Sequence, residues 1–168
     1  MSVDRILQLG DDAHSNQFQI VFPNGIPTGG DDVSMALRLT GAFTMPQQTI
    51  YKYDIEYKGD KIPKTARKID TDKVFTVTIR IDGNWKVYDE LKAWHKAVYD
   101  PKTNTAMNDF LSRCPIVVQA LDGSDSIVKS FTFTYCKIFD FKVTDFDSTV
   151  GDPLNIEAGF IYGQLDDE

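Results

Sequence analysis

An antiparallel β-sandwich or barrel carrying one α-helix is the fold this sequence predicts. Apolar and polar residues alternate over several separate segments, one stretch alone shows three-and-four spacing, and no repeated strand–helix pattern points to a parallel sheet. The chain has 168 residues, 42% hydrophobic and 26% charged, which suits one domain with a packed core. No run approaches 18 consecutive apolar residues, so no spanning helix is expected. Met1-Ser2-Val3-Asp4-Arg5 shows no basic stretch leading into an apolar run, and a soluble, cytosolic product is the expectation.

Taken in chain order, Gln17–Phe22, Met35–Thr40 and Thr49–Lys58 are the first strand candidates. Lys58-Gly59-Asp60 makes a tight hairpin turn after the third, and the protruding hairpin spans about 49–73. Phe75, Val77, Ile79 and Ile81 then fall on one face, with Thr76, Thr78 and Arg80 on the other. That period of two is the mark of a half-buried strand. The helix follows at about residues 85–99, with Trp85, Tyr88, Leu91, Trp94 and Val98 as its packing stripe. Asp82-Gly83-Asn84 offers a turn and an N-cap, and Pro101 closes the segment. Ile116–Leu121 is the next strand, joined by Asp122-Gly123-Ser124-Asp125 to a long one. In that long strand Phe131, Phe133 and Tyr135 share a parity with Phe139, Phe141 and Val143, while Lys137 and Ile138 swap character. A bulge or bend is expected there. Ile156, Ala158, Phe160 and Tyr162 form the last alternating set. Two stretches resist regular structure, the Gly/Pro loop 23–32 and the acidic loop Asp145–Pro153.

Residues that carry chemistry are scarce. Cys114 and Cys136 are too few for a disulfide framework or a zinc cluster and read as small buried apolar side chains. His14 and His95 have no paired ligand spacing. Gly29-Gly30 lacks the lysine and following helix of a phosphate cradle. Asp145, Asp147 and Asp152 lack the spacing and central glycine of a calcium loop. No nucleophile motif or dinucleotide fingerprint is present, so no catalytic residue, metal or cofactor is expected.

Charge is segregated along the chain. The total is −7, yet residues 1–34 carry −4, residues 139–168 carry −7, and the middle is +4. The basic density peaks between Tyr51 and Lys73, where Lys52, Lys58, Lys61, Lys64, Arg67, Lys68 and Lys73 face five acids. Either these lysines simply guard exposed strand edges, or a basic hairpin docks onto acidic segments of another copy, head to tail. Tyr57, Lys58, Lys61, Lys64, Arg67 and Lys68 are the hairpin candidates for such stacking, and Asp4, Asp11, Asp12, Asp145 and Asp147 the acidic partners. The overall acidity excludes a generic phosphate-binding surface.

The middle of the chain resembles a known family. Met45-Pro46, the hairpin with Tyr57-Lys58-Gly59 at its tip, Ile62-Pro63, the strand Val74–Ile81 and the helix with Tyr88, Leu91 and Trp94 stand in the order found in the major tail tube proteins of contractile-tailed bacteriophages, within the wider Hcp-like tube family. The Asp122-Gly123 turn, the long strand, the acidic loop and the closing Phe160-Ile161-Tyr162 extend the likeness to roughly residues 16–163.

The resemblance implies hexameric rings that stack into a tube inside a contractile sheath, with baseplate and tail-terminator proteins as further partners. It also implies tape measure protein and DNA in the lumen, a place in the virion tail tube, host cytoplasm during assembly, and no membrane. A channel for DNA gains from not binding it, because each neutralised phosphate adds counterion-release affinity that would stall transit. A baseplate tube initiator and the tube of a phage-derived injection system read much the same. A monomeric β-barrel binding a small ligand is the alternative from another class, and an enzyme has no candidate residues.

Overall fold

The alternating segments form nine strands in the computed structural model, which describes residues 3, 13, 15–30 and 42–167. The strand expected at Met35–Thr40 lies outside the described residues, as do Asp4, Asp11, Asp12 and His14. In chain order the elements are β1 (Phe18–Val21), β2 (Ala42–Thr44), β3 (Ile50–Tyr57), β4 (Asp60–Ile69), β5 (Val74–Arg80), α1 (Lys86–Val98), β6 (Cys114–Leu121), β7 (Ile127–Val143), β8 (Asn155–Ile161) and β9 (Gln164–Asp167).

One large antiparallel sheet runs β1-β6-β7-β8-β5-β2, with β9 also on β7, while β3 and β4 pair apart as a two-stranded sheet. The large sheet curls into a half-barrel, and the described residues are mainly β, with α1 packed against the sheet. Its spine is the 17-residue β7. The first half of β7 pairs with β6 and β9, and the second half with β8.

The bend in that spine has a local cause. Tyr135 sits at φ 56, a left-handed conformation costing a non-glycine residue about 1–2 kcal/mol. Opposite it the β6 register slips between Cys114 and Ile116, and the β8 register slips between Ile138 and Asp140. Inward parity therefore changes twice. Phe133, Cys136 and Ile138 are buried, whereas Tyr135 and Phe139 are exposed, although simple alternation groups these two with Phe133. The break expected at Lys137-Ile138 falls between the two irregularities. Gly163 lets the neighbouring lane follow the bend: its amide donates to the Thr134 carbonyl at 2.8 Å, and a Cβ there would lie 3.1 Å from the Tyr135 ring.

Bending brings the inner faces of the two half-sheets together. Phe133, fully buried, meets Phe75 at 4.5 Å, Tyr162 at 5.1 Å and Phe43 at 6.0 Å between ring centroids. The helix adds Val87, Leu91 and Trp94 to the same core. Trp94 packs between Phe22 and Phe160 and donates its indole N–H to the Ser112 carbonyl at 2.9 Å, which satisfies the one polar atom its burial would strand.

The inward face of α1 is rotated from the expected stripe. Leu91 and Trp94 are fully buried, with Val87 rather than Tyr88 a turn before them. Tyr88, Val98 and Trp85 are half-buried on the flanks. The Asp82-Gly83-Asn84 turn forms, but Trp85 enters the helix at φ 59, and the Asp82 carboxylate accepts from the Val87 amide at 3.3 Å. The Gly/Pro segment after β1 also approaches the helix: at Gly30, φ 137, a Cβ would sit 2.6 Å from the Glu90 side chain.

Candidate assembly interface

The β3–β4 hairpin follows from its turn. Lys58 and Gly59 both take positive φ, 48 and 85, the requirement of a two-residue turn whose twist matches its strands. Register then sorts the side chains. Tyr57 faces Asp60, Ile55 faces Ile62 and Tyr53 faces Lys64, with Tyr51 continuing that face. Glu56 with Lys61, Asp54 with Pro63 and Lys52 with Thr65 make the other face. The ribbon is therefore amphipathic. Its apolar side nevertheless lies open: Tyr51, Tyr53, Ile55, Tyr57 and Ile62 are 40–61% exposed. An isolated two-stranded hairpin is marginal in water, and a contiguous exposed apolar strip marks an interaction surface.

The hairpin cations divide between the two faces. Lys64 belongs to the apolar face by register, and Lys68 Nζ lies 5.6 Å from the Tyr51 ring. Lys58 Nζ lies 5.3 Å from the Tyr57 ring at the tip. Lys61 stands on the polar face opposite Glu56, and Arg67 falls in the irregular stretch between the Lys52 and Ile50 pairings.

Topology puts the acidic loop at the other end of the sheet. The hairpin returns at Ile69, just before β5 begins at Val74 beside Ile161. Six residues on, β5 ends at Arg80 beside Asn155, where the loop 144–154 joins β7 to β8. At about 3.4 Å per residue this separates the two features by roughly 20 Å. The loop encloses an open concavity of about 400 Å³ lined by Asp145, Phe146, Asp147, Val150 and Asp152 among others. Phe146 is 74% exposed and stacks on Trp85 at 6.4 Å and 9°. The Thr149 hydroxyl and amide both donate to Asp147 Oδ1 and hold that carboxyl below the usual carboxylate range. Asp166 belongs elsewhere, beside Ile69 and Lys73 in a groove at the foot of the hairpin. Of the expected acidic partners, only Asp145 and Asp147 lie among the described residues.

One further surface comes from the first half of β7. Gln19, Gln119, Ser130, Thr132, Thr134 and Gln164 line up across β1, β6, β7 and β9 away from the core, and Gln19 donates to Gln119. Among the described residues no group of three or more His, Cys, Asp or Glu could hold a metal ion.

Sequence misses the hairpin's exposed aromatic face. Alternation is visible at Tyr51, Tyr53, Ile55 and Tyr57, but alternation alone does not say whether the apolar side is covered.

No family model and no curated protein matches the chain. Solved structures do. A chain of the anti-feeding prophage baseplate superposes with a TM-score of 0.66 at 11% identity, covering 95% of this chain and 97% of that one. The sheath/tube terminator of an extracellular contractile injection system, PVC, gives 0.64 at 9% identity, over 95% and 99%. The PVC sheath–tube complex gives 0.63 at 10%, over 100% and 98%. At these identities the likeness concerns the backbone, and it is near end to end: this chain carries the tail-tube fold.

Proposed function

We propose that this chain is a structural subunit that self-assembles into hexameric rings stacked as the inner tube of a contractile tail or injection system. One observation carries the reading. An amphipathic, lysine-bearing hairpin leaves one end of the sheet with its apolar face uncovered, and a concave acidic surface stands at the other end. Complementary surfaces at opposite ends of one subunit make a heterologous contact, which repeats into a filament instead of closing on itself. The hairpin points toward an adjacent ring and away from the lumen. The polar face from Gln19 to Gln164, on which Asp166 pairs with Thr132, suits a lumen wall that DNA or a protein cargo passes without being held.

The structural neighbours, a sheath–tube complex, a tube terminator and a baseplate, support tail sheath, baseplate and terminator proteins as partners; tape measure protein and DNA are the proposed occupants of the lumen. In a phage tail such a tube is the conduit for DNA ejection into the host. The baseplate neighbour favours a second reading, a tube initiator at the baseplate.

Electron microscopy of the purified chain tests the proposal, with Lys61, Lys64 and Lys68 changed together to Glu as the variant. The wild type forms hollow rings or tubes, while the variant stays folded and does not stack. A wild-type chain that remains a monomer at high concentration with baseplate factors added overturns the reading. Tubes of normal length from the variant remove the charge contribution to stacking.

A further inference from the structure

The two cysteines, 22 positions apart in sequence, are brought together by the bend in β7. Cys114 at the start of β6 is the register partner of Cys136 just after Tyr135. Register partners on an antiparallel pair share a face, and both residues are buried, at 6% and 0% exposure. Antiparallel partners have Cα atoms about 4.5–5.5 Å apart, inside the roughly 4.4–6.8 Å that a disulfide spans. Both are free thiols, and the chain has no other cysteine.

Access to the pair is one-sided. An open groove of about 280 Å³, lined by Phe110, Arg113, Cys114, Pro115, Thr134 and Tyr135, reaches Cys114 but not Cys136. Arg113 is fixed at its rim, donating to the Tyr135 carbonyl at 2.9 Å and to both Asp109 oxygens. Cys136 lies behind, its thiol donating to the Phe133 carbonyl at 3.2 Å.

We propose that this pair is a site of thiol–disulfide chemistry, in which a low-molecular-weight disulfide enters the groove, Cys114 captures it, and Cys136 closes a cross-strand disulfide. In the first step the Cys114 thiolate attacks one sulfur of the small disulfide. The S–S bond breaks and one thiolate leaves, taking up the proton that Cys114 lost. In the second, the Cys136 thiolate attacks Cys114 Sγ, the mixed disulfide breaks, and the second small thiol leaves with the Cys136 proton. The protein is oxidised by two electrons, and the small disulfide is reduced to two thiols. Burial pushes the Cys114 thiol up to about 12 and the Cys136 thiol higher still, so capture and closure are both slow near neutral pH and quicken as the thiolate fractions grow with pH. The product staples the start of β6 to the bend of β7. Closing a loop of about twenty residues raises the melting temperature by roughly 6–12 °C.

The test uses the full chain, purified reduced, incubated undenatured with oxidised glutathione at about pH 8.5, quenched with iodoacetamide and read by intact mass and peptide mapping. The wild type ends with a Cys114–Cys136 disulfide and no retained glutathione, and a melting-temperature rise that a reducing agent reverses. Cys136→Ala stops at one glutathione on Cys114, and Cys114→Ala remains unmodified, each with a cooperative melt that shows it folded. Two free thiols persisting in the native wild type, while a denatured control oxidises, overturn the site. Equal adduct formation on the two single variants overturns the order of attack. A mixed disulfide that accumulates without closing overturns the pairing.

Discussion

Replacing Ile55 and Ile62 together with Asp separates folding from assembly. The two are register partners at the middle of the hairpin's apolar face, 40% and 48% exposed. Fully burying such a side chain stabilises by about 1.5–3 kcal/mol. Roughly half of each of the five apolar residues remains to be covered, so a partner surface gains about 4–7 kcal/mol per hairpin. The double substitution removes two of those five apolar side chains and places two carboxylates on the dry strip, which raises the critical concentration for assembly at least ~100-fold. Within the isolated chain it removes one cross-strand pair, about 0.2–1 kcal/mol, from a two-stranded sheet that pairs with no other described strand. The melting temperature of the monomer therefore moves by less than about 4 °C. Sedimentation velocity with electron microscopy reads assembly, and scanning calorimetry reads the monomer. Tubes at the wild-type concentration would refute the reasoning. So would a loss of monomer stability as large as that of a core truncation, because the strip would then be packing against its own body.

Phe133→Ala is such a truncation: it removes the fully buried ring that reaches from one half-sheet to Phe75, Tyr162 and Phe43 of the other. It costs about 3–5 kcal/mol, read as a lower urea midpoint at unchanged slope; a loss below about 1 kcal/mol contradicts this packing. Trp94→Phe keeps most of the volume but leaves the Ser112 carbonyl without its donor, costing about 1–3 kcal/mol in the same measurement. Asp109 is held below the usual carboxylate range by Lys137 at 2.8 Å and then by Arg113 at 3.0 Å. A depressed carboxylate stabilises above its unfolded value, near 3.8, and loses that stabilisation as pH falls through the lower folded value. Asp109→Asn therefore flattens the acid side of the melting-temperature profile below about pH 4; identical acid slopes for variant and wild type would contradict the ion pairs.

Much of the fold is legible because strands advertise themselves by alternation. Val74–Arg80 and Asn155–Ile161 coincide closely with the expected runs since each has one covered face and one open face. The long strand defeats simple alternation for the opposite reason. Its face changes at Tyr135 and again at Phe139, and nothing in Tyr135 as a residue announces a positive φ. The helix stripe shifts by one residue because Trp85 and Tyr88 are satisfied on the flank by Phe146 and Phe141, while the smaller Val87 fits inward.

The sequence by itself determines the mainly β architecture, the helix after β5, the hairpin with its Lys58-Gly59 turn and the segregation of charge, because each is written in local spacing and composition. Tertiary structure alone decides what those features face. The acidic loop and the basic hairpin are distant in sequence and remain distant in space, about a strand length apart, because β5 runs from one to the other. Cys114 and Cys136, which in sequence read only as small buried apolar side chains, become neighbours because β7 folds back along β6. Pairing register is a property of two strands at once, and no single run of residues contains it.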